Sequence, residues 1–222
     1  MEITTQDEKK ITQWAEKLSD NIQITLVLTE HEKNAELKEF CDYLSDLAPK
    51  VSITREKDET GDIPAIRITK SLYYHAVPLG TELEPFLESL TIFNNESAQL
   101  PETIRDYAEK IKAPAELRVY VSQHCPFCPA TVRQLLPLAM SGEFIRLRII
   151  DGFLFHEMAE SDNIQSAPTV LLDGQFLWTG SVDIKELLEM IVNRDPLKLS
   201  ASSMESMLKQ GNVSLLTKMM LD

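Results

Sequence analysis

The chain repeats itself at a shift of 93 residues, and this repeat restricts its fold more than any other feature of the 222 residues. The segment Ile11–Leu18, which has apolar residues at helical spacing, aligns with Ile104–Ile111 at this shift. With no gap, the same shift aligns the apolar segment Leu26–His31 with Val119–His124. The period is too long for a solenoid and therefore predicts two copies of one compact fold.

Both copies follow the same order of predicted elements. Each has a helix, a strand, a helix and a strand, and then an X-Pro step before an apolar strand, at Ile63–Pro64 and at Ala167–Pro168. A further strand and a helix after Gly80 or Gly180 complete each copy. A strand–helix–strand unit implies a parallel pair with a right-handed crossover, and the last two strands form an antiparallel hairpin. We therefore predict an α/β protein with two tandem thioredoxin-like folds, each a mixed four-stranded sheet flanked by helices.

The repeat also predicts the domain organisation. Residues 1–97 form the copy without a cysteine pair, and residues 98–196 form the copy that has one. We expect residues 197–222 to be a helical tail, rich in methionine, and the start of a further region. In the second copy we expect a helix from Pro126 to about Met140 that is kinked or shortened by Pro137.

Charge and composition exclude several classes of partner. The formal net charge of −13 argues against nucleic acid and anionic membrane surfaces as partners. No apolar run approaches the roughly 20 residues that span a bilayer, and the N-terminus does not resemble a signal peptide, so we expect a cytoplasmic protein. Three cysteines are too few for a disulfide scaffold, and a close pair in a reducing compartment is typical of catalysis or metal binding.

The cysteine pair lies where the second copy passes from strand to helix, in the sequence Cys125-Pro126-Phe127-Cys128. A thiol is a nucleophile only as a thiolate. We expect Cys125 to cap a helix that starts at Pro126, where free backbone N–H groups and the helix dipole stabilise negative charge. Cys128, one turn further on, is more enclosed. We therefore predict that Cys125 attacks a partner disulfide and that Cys128 resolves the mixed disulfide.

Four neighbouring residues are predicted to support substrate binding. His124 can add positive charge beside the pair, or it can be structural, since His31 holds the same position in the first copy. Phe127 offers an exposed apolar contact. We expect Pro168 to face the pair with a cis peptide bond, which leaves the Ala167 backbone free to pair with an extended substrate strand.

A zinc site and an inert pair are the alternatives to redox chemistry. The sequence has no second C-x-x-C to complete four zinc ligands. Cys41, the third cysteine, lies on the apolar stripe of a helix and is expected in the core. His75 and His156 fit no pattern and are expected on the surface.

The first copy has Glu32 and Ala35 at the positions of Cys125 and Cys128. No thiol chemistry can occur there. We therefore expect the first copy to be a scaffold or docking surface.

Residues 7–195 also resemble a known family, the tandem thioredoxin-like N-terminal domain of the flavoprotein subunit of bacterial alkyl hydroperoxide reductase. The first half without cysteines resembles that domain, as do these residues of the second half: Ile150-Asp151-Gly152, Phe155, Asn163-Ile164, Ala167-Pro168, Val170 and Asp173-Gly174. In that family the second-half pair accepts electrons from a flavin domain and reduces a peroxiredoxin. The resemblance implies that Cys125 and Cys128 are this pair and that Pro168 is the cis-proline.

The chain departs from this family in two ways. Its motif is closer to glutaredoxins and to archaeal-type protein disulfide oxidoreductases, which usually have Pro-Tyr between the cysteines. It also lacks a flavin- or nicotinamide-binding segment, so we expect no cofactor and a separate donor such as a flavoprotein reductase. The expected function is a dithiol–disulfide oxidoreductase of cell redox homeostasis that passes electrons to a protein disulfide such as that of a peroxiredoxin. A protein disulfide oxidase or isomerase and a non-catalytic binding module are the alternatives, and the oligomeric state stays open.

Overall fold

The computed structural model describes residues 3–95 and 99–193, which form seven α-helices, one short 3-10 helix and eight strands. The helices are α1 (Thr5–Ala15), α2 (Asn34–Leu47), α3 (Leu83–Phe93), α4 (Glu102–Ala108), α5 (Cys128–Ala139), α6 (His156–Ser161) and α7 (Ile184–Asn193), with a short 3-10 helix (Gly80–Glu82) before α3. The strands are β1 (Ile22–Leu28), β2 (Val51–Lys57), β3 (Ala65–Arg67), β4 (Leu72–His75), β5 (Ala115–Val121), β6 (Ile145–Asp151), β7 (Thr169–Leu172) and β8 (Phe176–Thr179).

The strands form one sheet in the order β2-β1-β3-β4-β6-β5-β7-β8. In the first half β1 is parallel to β2 and antiparallel to β3, and in the second half β5 is parallel to β6 and antiparallel to β7. The predicted mixed four-stranded arrangement is therefore confirmed in each half. The halves share an edge because β4 pairs with β6 in parallel, from Leu72 opposite Leu147 to His75 opposite Ile150.

Apolar residues of both halves pack into one core on this shared sheet. The apolar stripe of α1 contributes Ile11, which is fully buried. In the first half Phe86 of α3 lies edge-on to Phe40 of α2 and to Tyr74 of β4, with ring centroids 5.6 and 5.1 Å apart. The strand β5 is buried along almost its whole length, as expected for the central strand of its half. The strand that leads to the cysteine pair is thus part of the core.

A buried polar network crosses the joint between the halves. Arg148 of β6 donates from Nε to Nε2 of His75 at 3.0 Å and from Nη1 to Glu116 at 3.1 Å. Nδ1 of His75 lies 2.8 Å from the carbonyl oxygen of Pro64, so this nitrogen carries the proton and donates it. The prediction that His75 lies on the surface is wrong, because the pairing of β4 with β6 buries it. Burial and the charge of Arg148 lower the pKa of His75 well below its usual value, which keeps the ring neutral.

The predicted domain boundary and the predicted tail lie outside the described residues. The boundary between the predicted domains 1–97 and 98–196 falls in the undescribed segment 96–98, and the predicted tail 197–222 also lies outside the described residues. Within the described residues, no helix is both long and apolar enough to span a membrane.

Candidate redox site

The cysteine pair lies at the carboxyl end of β5, and in this structure Cys125 and Cys128 form a disulfide with α-carbons 5.5 Å apart. Their environments differ. Cys125 retains 9% of its surface and Cys128 is completely buried. Of the two sulfur atoms, that of Cys125 is therefore the one that a partner can reach from outside.

The helix after the pair starts later than predicted. It begins at Cys128, and Phe127 is its N-cap, so the prediction that Cys125 caps a helix from Pro126 is wrong. The reason is that residues 126–127 complete the turn, and the first helical amide with a free N–H is that of Cys128. This amide donates to Sγ of Cys125 at 3.1 Å. The sulfur therefore still faces the helix N-terminus, where a thiolate is stabilised.

The second X-Pro step meets the cysteine pair in space. The Ala167–Pro168 bond is cis, as predicted, and it is the one cis bond among the described residues. Sγ of Cys125 lies 3.5 Å from the carbonyl oxygen of Ala167. Directly after the proline, β7 pairs with β5, with Thr169 opposite Tyr120. This pairing holds the proline loop against the redox turn, although the two are about 40 residues apart in sequence.

Exposed side chains lie beside the cysteine pair in the chain and at the end of the neighbouring strand β6. Phe127 is 72% exposed, and Phe153, just beyond the end of β6, is 81% exposed. His124 is exposed and lies close enough to the buried Asp151 for its charge to act on that carboxyl. Burial raises the pKa of Asp151, while the amides of Leu154 and Phe153 and the charge of His124 oppose this rise. Cys125 is thus preceded by an exposed histidine, His124, and followed two residues later by the exposed apolar ring of Phe127.

Sequence reasoning missed Glu82, a carboxyl group of the first half that lies in the interior. It is 1% exposed, and within the described part of the chain neither of its carboxylate oxygens has a hydrogen-bond partner. Burial, followed by the charge of Asp151, raises the pKa of Glu82 to about 8, and Arg133 offsets this only in part. Its 3-10 helix packs against α5. One signal in the sequence could have found it. Glu82 follows Gly80 by two residues, as Val182 follows Gly180, and the apolar Val182 predicts a buried position for both.

The third cysteine, Cys41, is buried and its thiol stays protonated. Cys41 is fully buried in α2, as predicted, and burial raises the pKa of its thiol to about 12. Among residues 3–95 and 99–193, no group of three or more histidine, cysteine, aspartate or glutamate side chains is arranged to hold a metal ion.

Fold and site together define the class of this protein. A CxxC pair between a central strand and a helix, opposite a cis-proline, in a thioredoxin-like fold is a dithiol–disulfide redox centre. The chain is a thiol–disulfide oxidoreductase of thioredoxin-like fold.

Comparisons with known proteins agree with this class. A family model described as a thioredoxin domain matches residues 115–193. The F subunit of alkyl hydroperoxide reductase in Staphylococcus aureus is 23% identical over 189 residues, which cover 83% of this chain and 36% of that protein. The resemblance stated from the sequence is thus confirmed, and the chain spans about a third of the length of the curated relatives it matches.

Solved structures show the same fold. The NTD_N/C domain of alkylhydroperoxide reductase AhpF from Enterococcus faecalis matches with a TM-score of 0.71 at 19% identity, covering 86% of this chain and 100% of that one. A protein disulfide oxidoreductase from Aeropyrum pernix matches with a TM-score of 0.75 at 12% identity, covering 90% and 97%. At these identities the likeness concerns the fold.

Proposed function

We propose that this protein relays electrons from a separate reductase to a protein disulfide, with Cys125 as the attacking and Cys128 as the resolving cysteine. The observation that carries the proposal is the asymmetry of the pair. Cys125 is the accessible sulfur and accepts a hydrogen bond from the first amide of α5, while Cys128 is enclosed. Ala167, Pro168, Phe127 and His124 border the accessible sulfur and form the proposed substrate-binding surface, and Pro126 shapes the turn.

The proposed cycle conserves electrons and protons. Reduction of the Cys125–Cys128 disulfide takes up two electrons and two protons. The Cys125 thiolate, once its proton has left, attacks a partner sulfur, so that a mixed disulfide forms, the partner disulfide breaks, and the second partner sulfur leaves and takes up a proton. Cys128 then loses its proton and attacks Cys125, which restores the internal disulfide and releases the first partner sulfur as a thiol. Two electrons and two protons have then passed to the partner.

Glu82 is the proposed acceptor of the proton of Cys128. It is a buried carboxyl group with a pKa of about 8, in a helix that packs against α5, which begins at Cys128. A base works best when its pKa lies near the working pH.

The partners are proposed from the relatives. The relatives are named as alkyl hydroperoxide reductase, which supports a peroxide-reducing system as the context. A flavoprotein reductase is the proposed donor, in line with the resemblance of this chain to the F subunit of alkyl hydroperoxide reductase. A peroxiredoxin disulfide is the proposed acceptor and the cytoplasm the proposed location.

The test is reduction of insulin by the full chain with dithiothreitol as the donor. We expect Cys125→Ser to lose the activity by about a thousandfold or more, since no other accessible thiol can attack. Cys41→Ser is the matched control and should keep it, because this thiol is buried and protonated. Full activity of Cys125→Ser would contradict the enzyme proposal and favour a binding module.

The direction of electron flow is tested separately by the reduction potential of the pair in glutathione buffers. A value near about −270 mV supports the reductive relay, whereas a value near about −180 mV supports an oxidase or isomerase.

A further inference from the structure

The turn before the cysteine pair is held by the cysteine-free half of the molecule. The backbone N–H and the hydroxyl of Thr81 both donate to the carbonyl oxygen of Gln123 at 3.0 Å. The same hydroxyl lies 3.4 Å from the carbonyl oxygen of Ser122. In return, Nε2 of Gln123 donates to the carbonyl oxygen of Val77 at 2.9 Å. We call the group Val77, Gly80, Thr81 and Gln123 the clamp.

Gly80 lets the clamp close. Its φ is +61°, in the left-handed region that favours glycine. A Cβ atom at this position would lie 2.6 Å from the carbonyl oxygen of Gln123, the same atom that accepts both hydrogen bonds from Thr81. No flexible side chain can yield there, since the obstructing atom belongs to the backbone. Any larger residue must therefore push the redox turn away.

The clamp ends two residues before the attacking cysteine. The carbonyl oxygen of Ser122 accepts from the backbone N–H of Cys125 at 3.0 Å, and the amide of Cys128 donates to Sγ of Cys125 at 3.1 Å. The first contact fixes where the turn begins and the second places the sulfur before the helix. A shift of Gln123 is thus passed to the amide–sulfur contact through only two residues.

We propose that Gly80, Thr81 and Gln123 are positioning residues for the redox centre, so that the cysteine-free half sets the reactivity of Cys125. This inference rests on the proposed function of the pair. It assigns the first half a role in the chemistry, beyond that of a scaffold or docking surface.

The expected effect follows from the charge of the sulfur. A backbone N–H stabilises a thiolate more than it stabilises a disulfide sulfur, because a charged acceptor makes the stronger hydrogen bond. The reaction measured is protein disulfide plus two glutathione to protein dithiol plus oxidised glutathione, which conserves sulfur, electrons and protons. Weakening the amide–sulfur contact destabilises the thiolate of the dithiol form. The pKa of Cys125 should then rise and the equilibrium should move towards the protein disulfide.

Two variants of the full chain test the proposal. In Gly80→Ala we expect the equilibrium constant for reduction to fall about tenfold, which corresponds to about 30 mV towards more negative potential. In Thr81→Val, which removes only the hydroxyl contacts, we expect about a threefold fall. Thr81→Ser keeps the hydroxyl and should behave as the unchanged protein. For each variant the midpoint of iodoacetamide labelling of Cys125 against pH should rise in step with the fall in the constant.

Gly174→Ala is the matched control. Gly174 has a φ of +68°, close to that of Gly80, but a Cβ atom there meets nothing within 4 Å. This control therefore imposes the same backbone strain without touching the redox turn. If Gly80→Ala does not fold, the reduction potentials and labelling midpoints of Thr81→Val and Thr81→Ser are sufficient to test the proposal.

A potential and a labelling midpoint for Thr81→Val equal to those of Gly174→Ala would overturn the proposal. Neither measurement needs a substrate. A failure of the clamp is therefore distinct from a failure of the proposed relay, which would appear as absence of insulin reduction by the unchanged protein.

Discussion

The two halves build the same turn at the end of a central strand and close it by different means. In both, a hydroxyl oxygen accepts from the backbone N–H of the histidine two residues later, Thr29 from His31 at 3.2 Å and Ser122 from His124 at 3.4 Å. The turn of the second half is then closed by the disulfide.

In the first half the side chain of Asn34 closes the turn. Its Oδ1 accepts from the N–H of Thr29 at 3.1 Å, and its Nδ2 donates to the carbonyl oxygens of Thr29 and His31 at 2.6 and 2.7 Å. At the shift of the repeat, the residue that corresponds to Asn34 is Phe127, whose side chain points to solvent. Hydrogen bonds thus close the first turn, whereas a disulfide, which can be reduced and re-formed, closes the second.

The difference teaches that the fold does not require the cysteines. The first turn is closed by the amide side chain of Asn34, which supports the proposed chemical role of Cys125 and Cys128 in the second. The first half also differs from the second in the segment that lies against the redox turn. The buried Glu82 has its counterpart in Val182, and Gly80 approaches the redox turn of the other half.

The largest effect on stability is expected at Glu82, a buried carboxyl group whose counterpart in the second half is the apolar Val182. A carboxyl group with a pKa of about 4.5 in the unfolded chain and about 8 in the folded protein binds its proton more tightly when folded. The contribution of Glu82 to folding stability is therefore fully present below pH 4.5. It is lost as the pH rises from about 4.5 to about 8. We expect Glu82→Gln to raise the free energy of unfolding by about 3 kcal/mol at pH 7 and hardly at all at pH 4.

Urea unfolding at both pH values measures this difference. Glu84→Gln is the control, because Glu84 is exposed and pairs with Lys10 at 2.8 Å, which lowers its pKa. Its loss should change stability only slightly and with the opposite sign. An equal gain for Glu82→Gln at pH 4 and pH 7 would show that Glu82 ionises normally.

A smaller loss of stability is expected when the tie of the first turn is removed. Asn34→Ala removes the side-chain partner of the N–H and the carbonyl oxygen of Thr29, and one of two donors to the carbonyl oxygen of His31, which keeps the backbone N–H of residue 34. We expect the substitution to lower the free energy of unfolding by about 2 kcal/mol. Phe127→Ala is the matched change in the second half and should cost less than about 0.5 kcal/mol, since its side chain is exposed.

The same urea titrations, carried out with and without dithiothreitol, compare the two ties directly. Reduction should leave the effect of Asn34→Ala unchanged. A loss for Asn34→Ala no larger than that for Phe127→Ala would refute the view that hydrogen bonds of Asn34 close the first turn.

The repeat predicts most of the fold. Because apolar segments recur at one shift, each half could be predicted with its strand order and parallel pair, and the X-Pro step could be placed opposite Cys125. The joint between the halves could not. Nothing in the apolar pattern of Leu72–His75 states that this edge strand pairs with β6, and the burial of His75 follows only from that pairing.

The candidate site divides in the same way. Cys125, Cys128 and Pro168 stand out by residue type and spacing alone. Glu82 and the clamp do not, because their contacts join segments about 40 residues apart across two halves. The start of α5 was misplaced for a different reason. A proline suits the first turn of a helix, so Pro126 and Pro129 are both acceptable starts, and only the hydrogen bonds decide.

The smallest effect tests what has replaced Asn34 in the redox turn. Phe127 stands at the position that Asn34 holds in the first half, but its side chain is 72% exposed and lies two residues after Cys125 in the chain. We expect an apolar residue here to contact the protein that carries the disulfide, and not to act on the sulfur itself. Phe127→Ser should therefore raise KM for insulin about fivefold, which corresponds to about 1 kcal/mol of binding, and leave kcat nearly unchanged.

The decisive comparison is between insulin and a small disulfide such as 5,5′-dithiobis(2-nitrobenzoate). The small disulfide cannot contact both Cys125 and a neighbouring surface. Its reduction should be the same in Phe127→Ser and in the unchanged protein. Leu177→Ser, at the edge strand β8, removes another exposed apolar side chain (45% exposed) and should alter neither substrate. An equal loss with the small disulfide would mean that Phe127 shapes the turn, as Asn34 does in the first half, and that the two halves are more alike at this position than their side chains suggest.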